Sequence, residues 1–214
     1  MGATPSSTRK GVTYDHDGLI EDCLFCSIVE GRELNGAPLW YKDSRVAAFV
    51  PRSPAARLHF LVVPLQHRTN VGDLAVRAVR KSRQSAPSAS PSSASIDESL
   101  DLLRHMGRVA SFLLREHGDL PALSRCAAPP RALATVLPPH PDERGGDEAE
   151  GHVLDFHRPP YNSINHLHLH ALKVPMSSIA DSLTFWRGSP WCGGLADVLR
   201  EVEQGQAAAQ RLKR

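Results

Sequence analysis

Short apolar runs ended by turns or prolines mark the strands that this chain predicts. The runs at 38–42, 45–50 and 58–64 have strand length, and prolines follow the second run and end the third. Two further runs, 152–158 and 166–174, bring the predicted strands to five. Because several connections are short, we expect mostly antiparallel pairing.

Apolar residues at helical spacing predict one long helix over about 96–117, and Gly118 lies where such a helix would end. A second pattern of this kind predicts a C-terminal helix over about 194–212. The fold class expected is therefore α+β: a five-stranded antiparallel sheet with one long helix packed on it, plus a C-terminal helix. The residues that carry the first helical pattern are Leu100, Leu103, Met106, Val109, Ala110 and Leu113.

Three segments lack either pattern. Residues 1–20 are polar and are predicted to form a disordered arm. The segment near 83–95 is rich in Ser, Ala and Pro, and 119–150 is rich in proline, so both are predicted to be disordered insertions. The expected organisation is a single domain over 21–200 that carries the two insertions, followed by a helix end and tail at 201–214.

Composition limits the partners and the cellular location that we expect for the protein. The formal net charge of +2 gives no reason to expect a nucleic-acid partner, and no apolar stretch has the length of a membrane span. The N-terminus lacks the apolar core of a secretory signal, and the four cysteines form no disulfide pattern, so we expect a cytoplasmic or nuclear protein. Gly2 and Ser6 match the short pattern for N-myristoylation, an expectation that rests on the match alone.

Eleven histidines are many for 214 residues, and three of them alternate with apolar residues in "NHLHLHAL". On a strand, His166, His168 and His170 would share one face at a spacing of roughly 7 Å. Three interpretations are open: a solvated face of an edge strand, a metal site, or a catalytic cluster of imidazoles. The residues between them, predicted to face the helix, are Leu167, Leu169 and Ala171.

Further thiols and imidazoles bear on these interpretations. Cys23 and Cys26 form a CxxC pair, while His59 and His67 lie at the start and just past the end of one predicted strand. Two cysteines and two histidines would complete a closed, structural zinc shell. A lone CxxC pair is also compatible with two reduced thiols near a strand.

Several motifs resemble one family. "HLHLHAL" is similar to the signature of the histidine triad (HIT) superfamily. "CLFCSIVEG", "AFVPRSPAARLHFLVVPLQH" and "NSINHLHLHAL" occur in the order of its Hint-type branch, the adenosine phosphoramidases. "FHRPPYNSINHLHLH" and "FWRGSPW" look most like the third member of that branch. The resemblance covers about residues 20–80 and 97–200, apart from the insertions.

The resemblance implies catalytic roles. His168 would be the nucleophile that attacks the α-phosphorus of a nucleoside 5′-phosphoramidate or related adenylate and forms a nucleotidyl-histidine. His170 and His59 would hold the phosphate and tune His168. Ser163 is similar to the family serine near the leaving group. The reaction would need neither a catalytic metal nor an organic cofactor.

The resemblance also implies a zinc site and a nucleotide slot. Zinc would bind two thiols and two imidazoles: Cys23, Cys26, His67 and His166. The nucleotide would contact five residues: Leu24, Phe25, Phe49, Asn162 and Arg158. Leu24 is also compatible with an ordinary place in the hydrophobic core. Arg158 is also compatible with a solvent-exposed loop position.

One departure bears on specificity. In Hint-type proteins, an aspartate that binds the ribose hydroxyls usually lies two residues after the phenylalanine that corresponds to Phe49. This chain has Pro51 at that position, and proline offers no such acceptor. The expected ligand is still a purine nucleotide conjugate, and relatives imply a homodimer. Two other functions remain open: a zinc-stabilised interaction module with little catalysis, and a nucleic-acid deadenylase like aprataxin. No basic, aromatic-interleaved stretch follows the triad, which disfavours the deadenylase.

Overall fold

The computed structural model describes most of the predicted domain. The described residues are 7–32, 38–72, 74, 94–123 and 151–211. Gly2 and Ser6 lie outside this part of the chain, as do nearly all of the two predicted insertions. Residues 94 and 95 of the first predicted insertion already belong to the long helix, and only 119–123 of the second are described.

Strands and helices follow one another along the chain. The strands are β1 (Ser7–Arg9), β2 (Val12–Tyr14), β3 (Ile20–Cys23), β4 (Leu39–Lys42), β5 (Val46–Phe49), β6 (Ala56–Pro64), β7 (His152–His157), β8 (Leu169–Met176) and β9 (Cys192–Gly194). The helices that frame the site are α1 (Leu24–Val29), α2 (Ala94–Glu116), α3 (Ile179–Thr184) and α4 (Leu195–Arg211). Among the described residues, no helix is long and apolar enough to cross a membrane.

The main sheet confirms the α+β fold class and corrects the strand count. It has six strands in the order β4-β5-β6-β8-β7-β9, and every neighbouring pair is antiparallel. The strand missing from the prediction is β9, whose sequence is CGG and which pairs Gly193 with Phe156. Three residues with two glycines carry no alternation, so only the pairing with β7 makes this segment a strand.

One face of the main sheet carries the hydrophobic core. Apolar side chains of β6, β7 and β8 pack there against α2 and α4. The predicted orientation of the apolar residues between the histidines is confirmed. The buried residues include Leu58, Phe60, Val62, Leu154, Phe156, Leu167, Leu169, Ala171, Met106, Leu113 and Val198. Because side chains alternate along a strand, His59 and His170 lie on the opposite face.

The predicted disordered arm is wrong for residues 7–20. There β1, β2 and β3 form a separate three-stranded antiparallel sheet, in which Val12 is fully buried. Lys10 accepts a hydrogen bond from the backbone of Asn165, and Gly11 packs on Ile164, both in the loop before the triad. These long-range contacts give order to strands whose own sequence is mostly polar.

The triad strand begins later than predicted. β8 covers Leu169–Met176, so His166 and His168 precede it, and the backbone of Leu167 donates to the Arg68 carbonyl. His170 alone of the three lies within the ladder, paired with Leu61 and Asp155. The interpretation of three histidines on one regular strand is therefore corrected.

Candidate active site

Two histidines from neighbouring strands meet on the face of the sheet opposite α2. Nε2 of His59 lies 2.9 Å from Nδ1 of His170, and both rings are buried. The backbone N–H of Ala55 donates to Nδ1 of His59 at 3.0 Å. His59 must therefore carry its proton on Nε2 and donate it to His170.

The hydrogen bond from His59 determines the tautomer of His170. With Nδ1 accepting, the neutral ring carries its proton on Nε2, an atom that is buried and has no partner within the described part of the chain. Burial lowers the pKa of His59 to about 3 and holds the pKa of His170 well below its usual value. Both rings are neutral at pH 7, and His170 offers one N–H to a group that enters the site.

His168 is held in the opposite tautomer. Its Nδ1 lies 2.6 Å from the carbonyl oxygen of His166, to which it donates. Nε2 therefore carries a lone pair, and burial lowers the pKa of His168 to about 4, so the lone pair is free of a proton at neutral pH. A neutral imidazole with an unprotonated ring nitrogen is a nucleophile. Phe25 makes an edge contact with this ring at 5.3 Å between centroids.

The site contains a further imidazole that the sequence analysis missed. One ring nitrogen of each of His157, His168 and His170 lies within 4.8 Å of the other two. The ring centroids of His157 and His170 are 4.5 Å apart. Asp155 pairs with His170 in the sheet, so His157, two residues on, shares that face. The alternation of "HVLDFH" was a signal for this placement, but the pairing register was needed to use it.

Phe185, the residue that follows α3, packs against one side of the histidine cluster. Its ring lies 5.7 Å from His59, 5.0 Å from His170 and 5.0 Å from His157, on which it stacks. It is 6% exposed. No sequence pattern marks this phenylalanine, because its contacts come from three separate strands and loops. The ring excludes water from one side of the imidazoles.

The second cluster has the geometry of a metal site. Sγ of Cys23 lies 3.3 Å from Nδ1 of His166, and Sγ of Cys26 lies 3.6 Å from the same atom and 3.5 Å from Nδ1 of His67. Zn–S and Zn–N bonds of about 2.3 and 2.0–2.1 Å at tetrahedral angles place such ligand atoms roughly 3.5 Å apart. The four side chains therefore fit a tetrahedral zinc ion.

The protonation of these imidazole and thiol groups also suits the binding of a zinc ion. Nε2 of His166 donates to the carbonyl of Pro64 at 3.0 Å, which leaves Nδ1 with its lone pair toward the thiols. A hydrogen bond from the Cys26 thiol lowers the pKa of Cys23, and the same interaction raises the pKa of Cys26. The pair thus shares a proton that a metal ion would displace.

Of the apolar residues predicted to hold the base, Phe25 contacts His168 directly. Phe25 and Phe49 are buried, with ring centroids 5.4 Å apart in an edge-to-face arrangement. Leu24 is half-buried in the same apolar cluster. Their position is compatible with a base slot, and their role in nucleotide binding stays a prediction.

The roles of three other predicted site residues stay predictions. Asn162 is 3% exposed, and its side-chain amide bonds within the loop to Ile164 and Asn165 and accepts from Lys10, each at 3.0 Å. This amide is occupied in stabilising the loop.

The other two are Arg158 and Ser163. Arg158 turns toward α4, where it makes a bidentate ion pair with Glu201 at 2.9 and 2.6 Å, and its phosphate contact stays a prediction. Ser163 is exposed to solvent on the same loop.

Two curated proteins are similar in sequence to this chain. The chain is 30% identical over 158 residues, 74% of either protein, to the bifunctional adenosine 5′-phosphosulfate phosphorylase/adenylylsulfatase HINT4 of Arabidopsis thaliana. It is 25% identical over 174 residues, 81% of either protein, to the adenosine 5′-monophosphoramidase HINT3 of Xenopus tropicalis. No protein-family model matches the chain.

Solved structures of histidine triad proteins are also similar. One from Clostridium difficile is 22% identical with a TM-score of 0.43, covering 72% of this chain and 92% of that chain. The fold assignment rests on the topology described above. The chain belongs to the histidine triad superfamily and is a Hint-like member of it.

Proposed function

We propose that this protein is a nucleotide hydrolase that cleaves nucleoside 5′-phosphoramidates or related adenylates through a nucleotidyl-histidine intermediate. The observation that carries the proposal is the tautomer of His168, whose Nδ1 donates to the His166 carbonyl and leaves Nε2 free to attack. The names of the two relatives, an adenylylsulfatase and a monophosphoramidase, support an adenylyl group as the part of the substrate that is recognised.

In the first step, Nε2 of His168 forms a bond to the α-phosphorus while the bond from phosphorus to the leaving group breaks. The Nε2–H of His170, buried and without a partner among the described residues, donates to a phosphoryl oxygen as charge develops there. His59, fixed by the backbone of Ala55, holds His170 in the tautomer that makes this donation possible. In the second step, water attacks phosphorus and releases the nucleoside monophosphate and His168.

The proposed substrate is a purine nucleotide conjugate, with the base beside Phe25 and Phe49. The proposed zinc ion would bind Cys23, Cys26, His67 and His166 and supply structural stability, since all four ligand positions are taken by protein. Homodimerisation and a cytoplasmic or nuclear location stay predictions.

The test uses the purified protein with two substrates, adenosine 5′-phosphoramidate and adenosine 5′-phosphosulfate. We expect release of AMP from at least one of them and an AMP adduct on His168 in an acid-quenched sample, seen by intact mass. His168→Ala is the matched control and should give neither. If zinc-loaded wild type releases no AMP and forms no adduct, the protein is better explained as a zinc-stabilised interaction module.

A further inference from the structure

We propose that His157 is a further catalytic residue, the acid that protonates the leaving group and then the base that receives a proton from the attacking water. The inference rests on the proposed function of the site. It assigns the proton transfers of that reaction to a side chain outside the triad signature.

The geometry places His157 among the reacting groups. A ring nitrogen of His157 lies within 4.8 Å of ring nitrogens of both His168 and His170. Its Nε2 is buried and has no hydrogen-bond partner in the described part of the chain, as is also true of Nε2 of His170. Buried polar atoms are nearly always paired, so two such atoms on rings 4.5 Å apart mark a place for substrate or water atoms.

The position of His157 is fixed from three sides. Its backbone pairs with Cys192 of β9, its ring stacks on Phe185, and the carbonyl of Thr184 accepts a hydrogen bond from it. A catalytic acid must be held within hydrogen-bond reach of the atom that it serves, and these contacts hold it. Ser163, which the family resemblance places near the leaving group, lies exposed on the loop before the triad.

The chemistry of a phosphoramidate requires such an acid. An amine leaves as an anion unless it receives a proton while the P–N bond breaks. As Nε2 of His168 bonds to phosphorus, the His157 imidazolium gives its proton to the departing nitrogen and becomes neutral. Water then gives a proton to His157 as its oxygen bonds to phosphorus and the bond from phosphorus to His168 breaks. Both residues return to their starting states, and the sum is substrate plus water giving monophosphate plus amine.

The substrate itself supplies the conditions for protonation. Burial lowers the pKa of His157, and the hydrogen bond to the Thr184 carbonyl opposes that effect. The rings that face His157 are His59 on β6, His168 and His170 at β8, and Phe185. The one carboxylate of β7 on that face, Asp155, accepts a hydrogen bond from Cys192 and lies 3.7 Å from Arg187. A bound phosphoryl group adds negative charge next to this imidazole, which favours its charged form.

The experiment compares leaving groups that differ in their need for a proton. Sulfate is the anion of a strong acid and departs unprotonated, whereas an alkylamine does not. His157→Asn should lower kcat/KM for an adenosine 5′-alkylphosphoramidate by about 10²–10⁴-fold, the usual contribution of general acid–base catalysis. It should change kcat/KM for adenosine 5′-phosphosulfate far less. His152→Asn makes the same substitution at the other end of β7 and should affect neither substrate.

Two results would overturn the assignment of His157: an equal loss for both substrates in a folded variant, or no loss for either. A wild-type protein that cleaves neither substrate would instead overturn the proposed function, so the two failures are distinguishable. If His157→Asn does not fold, His157→Gln and a series of aryl- and alkylamine substrates on wild type replace it. A steep dependence of the wild-type rate on amine basicity would then contradict the proposal.

Discussion

Nδ1 of His168 lies 2.6 Å from the carbonyl oxygen of His166, so the residue proposed to bind zinc also fixes the tautomer of the proposed nucleophile. The imidazole of His166 is held between the carbonyl of Pro64 and the two thiols. The zinc cluster and the catalytic cluster are therefore adjacent and share one backbone segment. Loss of the metal is expected to affect both stability and turnover.

The first prediction concerns that metal. Cys23→Ser or His67→Ala should reduce zinc content from one per chain and destabilise the fold. If free zinc exceeds its Kd about 100-fold, binding stabilises the native state by about 2.7 kcal/mol. At this chain length that is a fall in Tm of roughly 5–10 °C. Metal analysis by mass spectrometry and thermal unfolding measure the two effects.

The control for zinc is Cys192→Ser. This thiol is buried elsewhere and donates to Asp155, so the variant should keep its metal. Protein purified without chelators that contains no zinc would count against the site. The four side chains would then be hydrogen-bonded thiols and imidazoles.

The second prediction concerns the nucleophile. His168→Ala should lower AMP release by at least about 10³-fold, because no other lone pair occupies this position. The ring is 4% exposed and packs on Phe25, so its removal also leaves a cavity that costs about 1–3 kcal/mol. Kinetics and urea unfolding separate the two losses. His16→Ala, at an exposed histidine, should change neither quantity.

The third prediction uses the pH dependence of stability. The pKa of His59 is lowered from 6.5 to about 3, so below pH 6.5 the unfolded chain binds a proton that the native ring does not. Stability therefore falls as pH drops through that window. Between pH 7.5 and 5.5, His59 should contribute a loss of about 1.4 kcal/mol.

His59→Asn should make the change in unfolding free energy between those two pH values smaller by that amount. An unchanged slope in His59→Asn would show that the His59 ring does not stay neutral in the native protein.

The fourth prediction concerns the N-terminal sheet. Gly11 has φ +65, and a Cβ there would lie 2.6 Å from Cδ1 of Ile164 in the loop before the triad. Gly18 has φ +77, and nothing lies within 4 Å of its Cβ position. Both alanine variants share the backbone cost of about 1 kcal/mol, but Gly11→Ala must also displace Ile164.

Gly11→Ala should therefore be less stable than Gly18→Ala by about 1–3 kcal/mol in urea unfolding, and it should lower AMP release as well. Equal stabilities of the two variants would show that Gly11 is not packed tightly against Ile164. In that case, residues 7–20 would be better described by the sequence-based prediction of a loose arm.

The parts of the fold that sequence alone predicts are those with a local pattern. The helix that contains Met106 and the strand that contains Phe60 follow from periodicity, and the triad follows from its motif. β9, the N-terminal sheet and the stacking of Phe185 depend on contacts between distant residues. The position of His157 is only partly predictable from sequence. Alternation along the strand predicts which face of the sheet it lies on, but its proximity to His170 depends on the order of the strands. The partners of Asn162 and Arg158 in the structure, Lys10 and Glu201, also lie far away in the chain, so no local pattern could predict these contacts.

The last prediction concerns ribose recognition beside Phe49. Pro51 stands where an aspartate would accept hydrogen bonds from the sugar, and a hydrogen bond to a charged group is worth about 1.5–3 kcal/mol. That is roughly 10- to 100-fold in affinity. Pro51→Asp should thus raise kcat/KM for an adenosine substrate relative to its 2′,3′-dideoxy analogue, chiefly through KM, because the contact exists before and during reaction.

Pro54→Asp places the same charge three residues on, in the same connection between β5 and β6, and is the matched control for Pro51→Asp. Asp155, another carboxylate near the triad, is fully buried and accepts a hydrogen bond from Cys192, so it is a poor substitute acceptor. The comparison to measure is the ratio of kcat/KM for the ribo and dideoxy substrates in wild type and both variants. A wild type that already prefers the ribo substrate strongly, with a ratio that Pro51→Asp leaves unchanged, would show that a different residue binds the sugar.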